Sequence, residues 1–295
     1  PENIEFMQDI RALLNKYPGT VSLGEISSED SLATMAEYTQ GGDKLHMGYS
    51  FELLTNDYSS EYIRTTVQTL EKGMTEGWPC WAFSNHDVER VASRWSQNGE
   101  INSQQCKMLT ALLASLRGSV CMYQGEELGL GEASVAFEDL QDPYGITFWP
   151  NFKGRDGCRT PMPWDNASLQ HAGFSETKPW LPVDEQHKQQ SVKQQTLDSN
   201  SILNAYREFM AWRKTKPVLL EGDIEFINTH EPVLAFYRTF ENEKMLCVFN
   251  LSGAEAALSL PTVISTEFGE LSHHKGHIEN EQLLLAPYAC YYATC

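Results

Sequence analysis

Ile63, Val67, Leu70 and Met74 recur at helical spacing through SSEYIRTTVQTLEKGM, and short apolar runs stand on either side of that stripe. Before it, GTVSLGEI (Gly19 to Ile26) reads as a strand that passes into SSEDSLATMAEY, which opens with the residue types of a helix N-terminus. MGYSFELL (Met47 to Leu54) is a second strand candidate and PCWAFS a third. SQQCKMLTALLASLRG then carries Cys106, Leu109, Leu113 and Leu116 on one helical face, with Gly118 expected as its C-cap, and SVCMY supplies a fourth strand. Strand and helix alternate four times. That predicts a parallel sheet covered by helices, either doubly wound or part of a (β/α) barrel. Ahead of these units, PENIEFMQDIRALLNKY places Phe6, Ile10 and Leu13 on one face of a helix that begins almost at Pro1, which raises the expectation of a preceding segment.

From Gln124 to Ser199 the periodicity gives way to a stretch rich in Gly, Pro and Trp, too long for an idle connection and therefore a candidate carrier of function. ILNAYREFMAWRKT (Ile202 to Thr215) restores a helix. Beyond Pro217 the runs VLAFYRTF, KMLCVFNL, AALSL and LLLAPYACYYA, separated by turns, predict a small antiparallel β domain. Two domains are expected, 1–216 and 217–295.

Charge narrows the partner. Forty acidic residues against 22 basic ones give a formal net charge of −18, which repels nucleic acid and anionic membrane surfaces. A neutral partner is favoured. No apolar run approaches the roughly 20 residues of a membrane span, and no signal peptide precedes Pro1, so the expected location is cytoplasmic. The seven cysteines are scattered and mostly set in apolar runs, a pattern of reduced buried thiols rather than of disulfides or a zinc site.

In a parallel sheet the reactive groups belong at the carboxyl ends of the strands. Glu25 ends the first strand, His86 and Asp87 the third, and Gln124, Glu126 and Glu127 the fourth. Three strands thereby deliver acidic groups to one rim, as paired-carboxylate chemistry on a glycosidic bond requires. By position alone, His86 and Asp87 could also be a metal-ligand pair or an ordinary charged helix start. The cluster HHKGH (His273 to His277) carries metal-ligand residue types but reads as a solvated loop of the β domain.

LGEIS, FSNHDVERV, YQGEELG and GRDGCRTPMPWD resemble successive signatures of the alpha-amylase superfamily of glycoside hydrolases (family 13), in its alpha-glucosidase and oligo-1,6-glucosidase branch. The resemblance implies the C-terminal half of a (β/α)8 TIM barrel followed by a small antiparallel β-sandwich. It makes Glu25 the general acid/base and Asp87 a carboxylate that grips glucose hydroxyls, with His86 on the same sugar and Asn85 and Arg90 supporting the turn. Arg155 becomes the cationic wall of the pocket, with Arg159 its competitor, and Phe51 and Glu132 line the next subsite. No cofactor or metal is implied in this segment. The family's nucleophile motif, GFRxDA, and its DxVxNH motif are absent from the sequence. The implied partners are therefore a small neutral sugar and an upstream half of the same barrel, where a structural calcium would also belong. The implied activity is that of an exo-acting, retaining alpha-glucosidase releasing glucose from the non-reducing end of short alpha-glucosides, with transglucosylation as a variant. The alternative is a noncatalytic subunit resembling the heavy chains of amino-acid transporters.

Overall fold

The helical stripe of Ile63, Val67 and Leu70 is buried, and the elements it predicts frame the first part of the chain. The computed structural model describes residues 2–74, 76–97, 99–166, 170–260, 262–269, 271–272 and 274–295. Its first part runs α1 (Glu2–Leu14), β1 (Leu23–Ile26), α2 (Ser31–Thr39), β2 (Met47–Ser50), α3 (Ser60–Gly73), β3 (Cys80–Trp81), α4 (Val91–Arg94), α5 (Ser103–Ser115) and β4 (Ser119–Val120). Side-chain caps start the helices: Asp30, Ser59 and Asn102 accept backbone N–H groups of the first turns of α2, α3 and α5.

β1 pairs in parallel with β2, β3 pairs in parallel with β4, and a parallel bridge from Gly48 to Pro79 joins the two ladders. Strand order therefore follows chain order. Alternation sorts the side chains into two faces. Ile26, Trp81, Phe83 and Val120 pack outward against Ile63, Val67, Leu109 and Leu113 of the helices. Met47, Tyr49, Phe51, Cys80, Ala82 and Cys121 gather on the inner face. This is a run of parallel β/α units curling as part of a barrel would, with β1 paired only to β2 among the described residues.

Two details depart from the sequence pattern. MGYSFELL is a strand only to Ser50, and Glu52–Leu54 tighten into a 3-10 turn. Gly118 does not cap α5, which ends at Leu116 in extended conformation. With φ +123, Gly118 turns the chain into β4 where a Cβ would come within 2.5 Å of the Pro79 carbonyl oxygen.

The segment after β4 folds around short helices, α6 (Pro143–Phe148), α7 (Glu185–Lys188) and α8 (Val192–Leu197), before α9 (Ile202–Arg213) and α10 (Pro217–Leu220). The expected boundary at 216 falls at the start of α10, whose Val218 and Leu219 enter the core. Strands then take over: β5 (Asp223–Ile227), β6 (Val233–Phe240), β7 (Glu243–Asn250), β8 (Ala256–Ser259), β9 (Thr266–Glu267), β10 (Gly276–Glu279), β11 (Gln282–Leu285) and β12 (Cys290–Thr294). They form an antiparallel sheet in the order β5-β6-β7-β12-β9 and a second in the order β10-β11-β8. LLLAPYACYYA, a single run in the sequence, is split between β11 and β12 in different sheets. No helix among the described residues is long and apolar enough to cross a membrane.

The larger sheet is covered on both faces. Leu234, Phe236, Cys247, Phe249 and Tyr292 join the helical core with Leu112 and Phe209, while Val233, Ala235, Val248 and Tyr291 meet Leu283 and Leu285 of the smaller sheet. Two-sided burial is why β6, β7 and β12 read as continuous apolar runs instead of alternating ones. Arg238 staples the seam. Fully buried, it donates to the carbonyls of Ser115 (2.7 Å), Leu116 (3.2 Å), Leu219 (3.2 Å), Gly222 (2.7 Å) and Asp223 (3.2 Å), so a cation satisfies the C-terminal carbonyls of α5. Arg238→Met leaves those buried acceptors without donors and is expected to cost about 3 kcal/mol. Urea denaturation checks this, and an unchanged midpoint would show that apolar burial alone holds the seam.

Candidate active site

Glu25 leaves the carboxyl end of β1 beside Tyr49, its register partner on β2, so both side chains project to the same face. The turn after β3 supplies the rest. Asn85 Oδ1 accepts the N–H groups of Asp87 (2.8 Å) and Val88 (3.1 Å), folding Ser84–Val88 back on itself, while Asn85 Nδ2 donates to Glu25 Oε1 at 3.3 Å. The functional atoms of Glu25, His86 and Asp87 consequently lie within 4.8 Å of one another, although Glu25 comes from a different strand.

Both candidate arginines reach this cluster. Arg155 Nη1 lies 3.0 Å and Arg159 Nη2 2.9 Å from Asp87 Oδ1, and Arg159 Nε donates to the His86 carbonyl at 2.8 Å. The sequence posed them as competitors, and the fold sets them side by side on one oxygen. Asp87 Oδ2 faces His86 Nε2 at 3.5 Å. The three groups have the spacing of a metal-ligand set, but two guanidiniums already supply the positive charge at Asp87.

Arg155 is itself held by a residue the sequence reading did not single out. Asp142, wholly buried, accepts from the Arg155 backbone N–H (2.8 Å), Nε (2.9 Å) and Nη2 (3.1 Å) and from the Tyr144 N–H. Asp156, also buried, accepts the N–H groups of Gln141 (2.6 Å) and Asp142 (2.8 Å) and so anchors the chain that carries the first carboxylate. The only local signal was the Asp142-Pro143 pair, in which Asp142 caps α6.

A second layer fixes the loops. Arg90, fully buried, donates to the carbonyls of Gln124 and Cys158 and lies over the Tyr123 ring, which joins the ends of β3 and β4 to the loop bearing Arg155 and Arg159. Glu132, expected near the aglycone, accepts the Arg90 backbone N–H at 3.1 Å and packs against Gly157, and burial pushes its carboxyl up to about 7. Phe51 sits half-buried on the inner face, its ring centroid 6.4 Å from that of Tyr49. Glu126 corrects the sequence reading of three acidic strand ends at one rim. Gly125, at φ +93, turns the chain away, and Glu126 is buried among Phe83, Val91, Cys106 and Met122, where desolvation raises its carboxyl to about 7. Glu127 turns back onto the Gly125 N–H. Two strands, not three, bring carboxylates to the cluster. Of the histidine cluster, His273 lies outside the described residues, the His274 ring lies 4.8 Å from that of Tyr291 at a tilt of 48°, and His277 is on β10.

Residues 1–222 match the family model described as "Alpha amylase, catalytic domain", and residues 224–291 match "Maltogenic Amylase, C-terminal domain". Among curated proteins, the chain is 48% identical over 263 residues to a "Probable alpha-glucosidase" of Rhizobium meliloti, covering 88% of this chain and 47% of that protein. It is 32% identical over 282 residues to an "Oligo-1,6-glucosidase" of Bacillus cereus, covering 83% of this chain and 50% of that protein. The solved structure of an "alpha-glucosyl transfer enzyme, XgtA" superposes with a TM-score of 0.95 at 56% identity, over 100% of this chain and 54% of that one. The chain thus spans about half the length of the relatives it matches.

The Asp142–Arg155 pair has a pH signature. Hydrogen bonds from Arg155 hold the Asp142 carboxyl down to about 2, below the roughly 3.9 of an unfolded aspartate. Its stabilisation is complete above that unfolded value and is lost as pH falls through the folded one. Asp142→Asn is expected to lose about 2 kcal/mol at neutral pH, with the gap from the parent closing toward about pH 2. Urea unfolding across that range measures it; a gap constant with pH would contradict the assignment.

Proposed function

The chain belongs to the alpha-amylase family, and from that premise we propose that it carries the acid/base side of an exo-acting, retaining alpha-glucosidase that also transfers glucose to acceptors. The observation behind this reading is the convergence of Glu25 and Asp87, from separate strands, on one arginine-walled cluster. Two fixed guanidiniums on Asp87 Oδ1 leave Oδ2, beside His86, turned to a ligand. Such an oxygen suits the hydroxyls of a neutral sugar, and its grip tightens as the ring flattens toward an oxocarbenium-like transition state.

In the first step Glu25 donates its proton to the glycosidic oxygen as that bond breaks and a carboxylate nucleophile forms a bond to the anomeric carbon. In this reading the nucleophile comes from an upstream half of the barrel, which pairs with the outer edge of β1, where Val21 and Leu23 are exposed. In the second step Glu25, now ionised, takes a proton from water or from an acceptor hydroxyl, whose oxygen displaces the nucleophile and restores the alpha configuration. Phe51 would wall the adjoining subsite, with Glu132 at its base. Transfer to an acceptor is favoured by the likeness to the glucosyl transfer enzyme, and hydrolysis by the likeness to the glucosidases. Presence of both Glu25 and Asp87 sets this reading above that of a noncatalytic subunit.

Supplying the full-length protein with maltose, isomaltose and sucrose, and following the first product by NMR, tests the reading: alpha-configured glucose or glucoside is expected, and beta-glucose would overturn it. Glu25→Gln should lower kcat on maltose by about 10²- to 10⁴-fold while an activated aryl alpha-glucoside still glucosylates the protein, because only the poor leaving group needs the proton. Comparable losses in the rate at which the two substrates glucosylate the protein would remove Glu25 from the acid role. Asp87→Asn should lose about 10²-fold or more in kcat/KM with the melting temperature retained.

A further inference from the structure

Glu25 is solvent-exposed, and the Asn85 amide reaches its carboxylate at 3.3 Å, too long a contact to fix a proton donor alone. The opposite strand provides more. Tyr49 stands directly across from Glu25 in the parallel register, 8% exposed, with its ring wedged among Leu54, Cys80, Ala82 and Phe51. A buried phenol needs a partner for its hydroxyl, and the polar groups facing it are the Glu25 carboxylate, the Asn85 amide and the Cys121 thiol. Asn85 cannot turn its amide around: its oxygen is committed to the N–H groups of Asp87 and Val88, so its nitrogen faces Glu25 and the phenol.

Resting on the reading of Glu25 as the acid/base, we propose that Tyr49 is a positioning residue, whose hydroxyl donates to the Glu25 carboxylate and aims it at the glycosidic oxygen. Burial first, and contact with Glu25 second, raise the phenol well above its ordinary pKa, so it stays neutral and keeps its proton to donate. The ring is immobilised by apolar neighbours and the strand register fixes its height. Tyr49 and Asn85 therefore hold the carboxylate from two sides, one from β2 and one from the turn after β3, and tie its orientation to that of Asp87. Phenylalanine in place of Tyr49 would fill the same space and remove one oxygen, which separates orientation from packing.

The experiment compares full-length parent and Tyr49→Phe on maltose and on 4-nitrophenyl alpha-glucoside, with melting temperature as the control for folding. The expected result is a kcat/KM on maltose about 10- to 100-fold lower, from a misaimed proton donor, with the nitrophenyl substrate little affected. Equal losses on the two substrates, or none on either, would overturn the proposal. A fall in melting temperature accompanied by equal losses would assign Tyr49 to packing and overturn it too. A parent inert toward both glucosides would overturn the reading of the site itself, whereas an active parent with an unchanged substrate ratio in the variant overturns only the role of Tyr49.

Discussion

Asp142, a carboxylate removed wholly from water, governs the geometry of the rim. A buried charge persists only if it is paired and its lone pairs are satisfied, and Arg155 meets that demand with its backbone N–H, Nε and one terminal nitrogen. The guanidinium is rigid and planar, so once two of its nitrogens are committed the third has one direction left, and that direction leads to Asp87 Oδ1. The orientation of Asp87 follows from a bond made by a residue that has no contact with the cluster itself. Asp156 extends the same logic by one step, binding the consecutive backbone N–H groups of Gln141 and Asp142 and fixing where the first carboxylate stands.

Arginines serve the same purpose elsewhere in the molecule without a carboxylate. Arg90 and Arg238 are both fully buried and spend their donors on backbone carbonyls. A segment with little regular structure exposes few apolar faces to pack, so its carbonyls need donors from outside. Arg90 supplies them where the loop after β4 meets the loop around Cys158, and Arg238 where helix ends meet the C-terminal sheet. The exposed site thus rests on interior cations whose guanidiniums burial disfavours, lowering their pKa.

The larger C-terminal sheet contributes to the site through packing. Its inner face shares one core with α5 and α9, and α5 in turn backs β3 and β4, whose carboxyl ends carry Asp87 and the Gln124 loop. Movement of the sheet against the helices would have to break Arg238's bonds and the Tyr292 hydroxyl's contact with Ser115 at 2.9 Å. The parallel strands are short, and this shared core gives them the backing that long ladders would otherwise provide.

What the sequence determined by itself was whatever depends on neighbours a few residues away. Helical periodicity located α3 and α5, the residue types of a helix start located α2, and the passage of an apolar run into polar residues placed Glu25, His86 and Asp87 at strand ends. The charged alternation of Asp223–Ile227 hid β5, because an edge strand half in water lacks an apolar signature. LLLAPYACYYA hid its division between two sheets, because burial looks the same in either. Only the tertiary structure decided that Arg155 and Arg159 share one oxygen, that Asp142 and Asp156 anchor them, that Glu126 turns inward, and that Tyr49 faces Glu25. Each of those outcomes depends on which distant segment lies across a few ångströms of space, and strand register and buried-charge pairing, neither of which leaves a local pattern, are what bring those segments together.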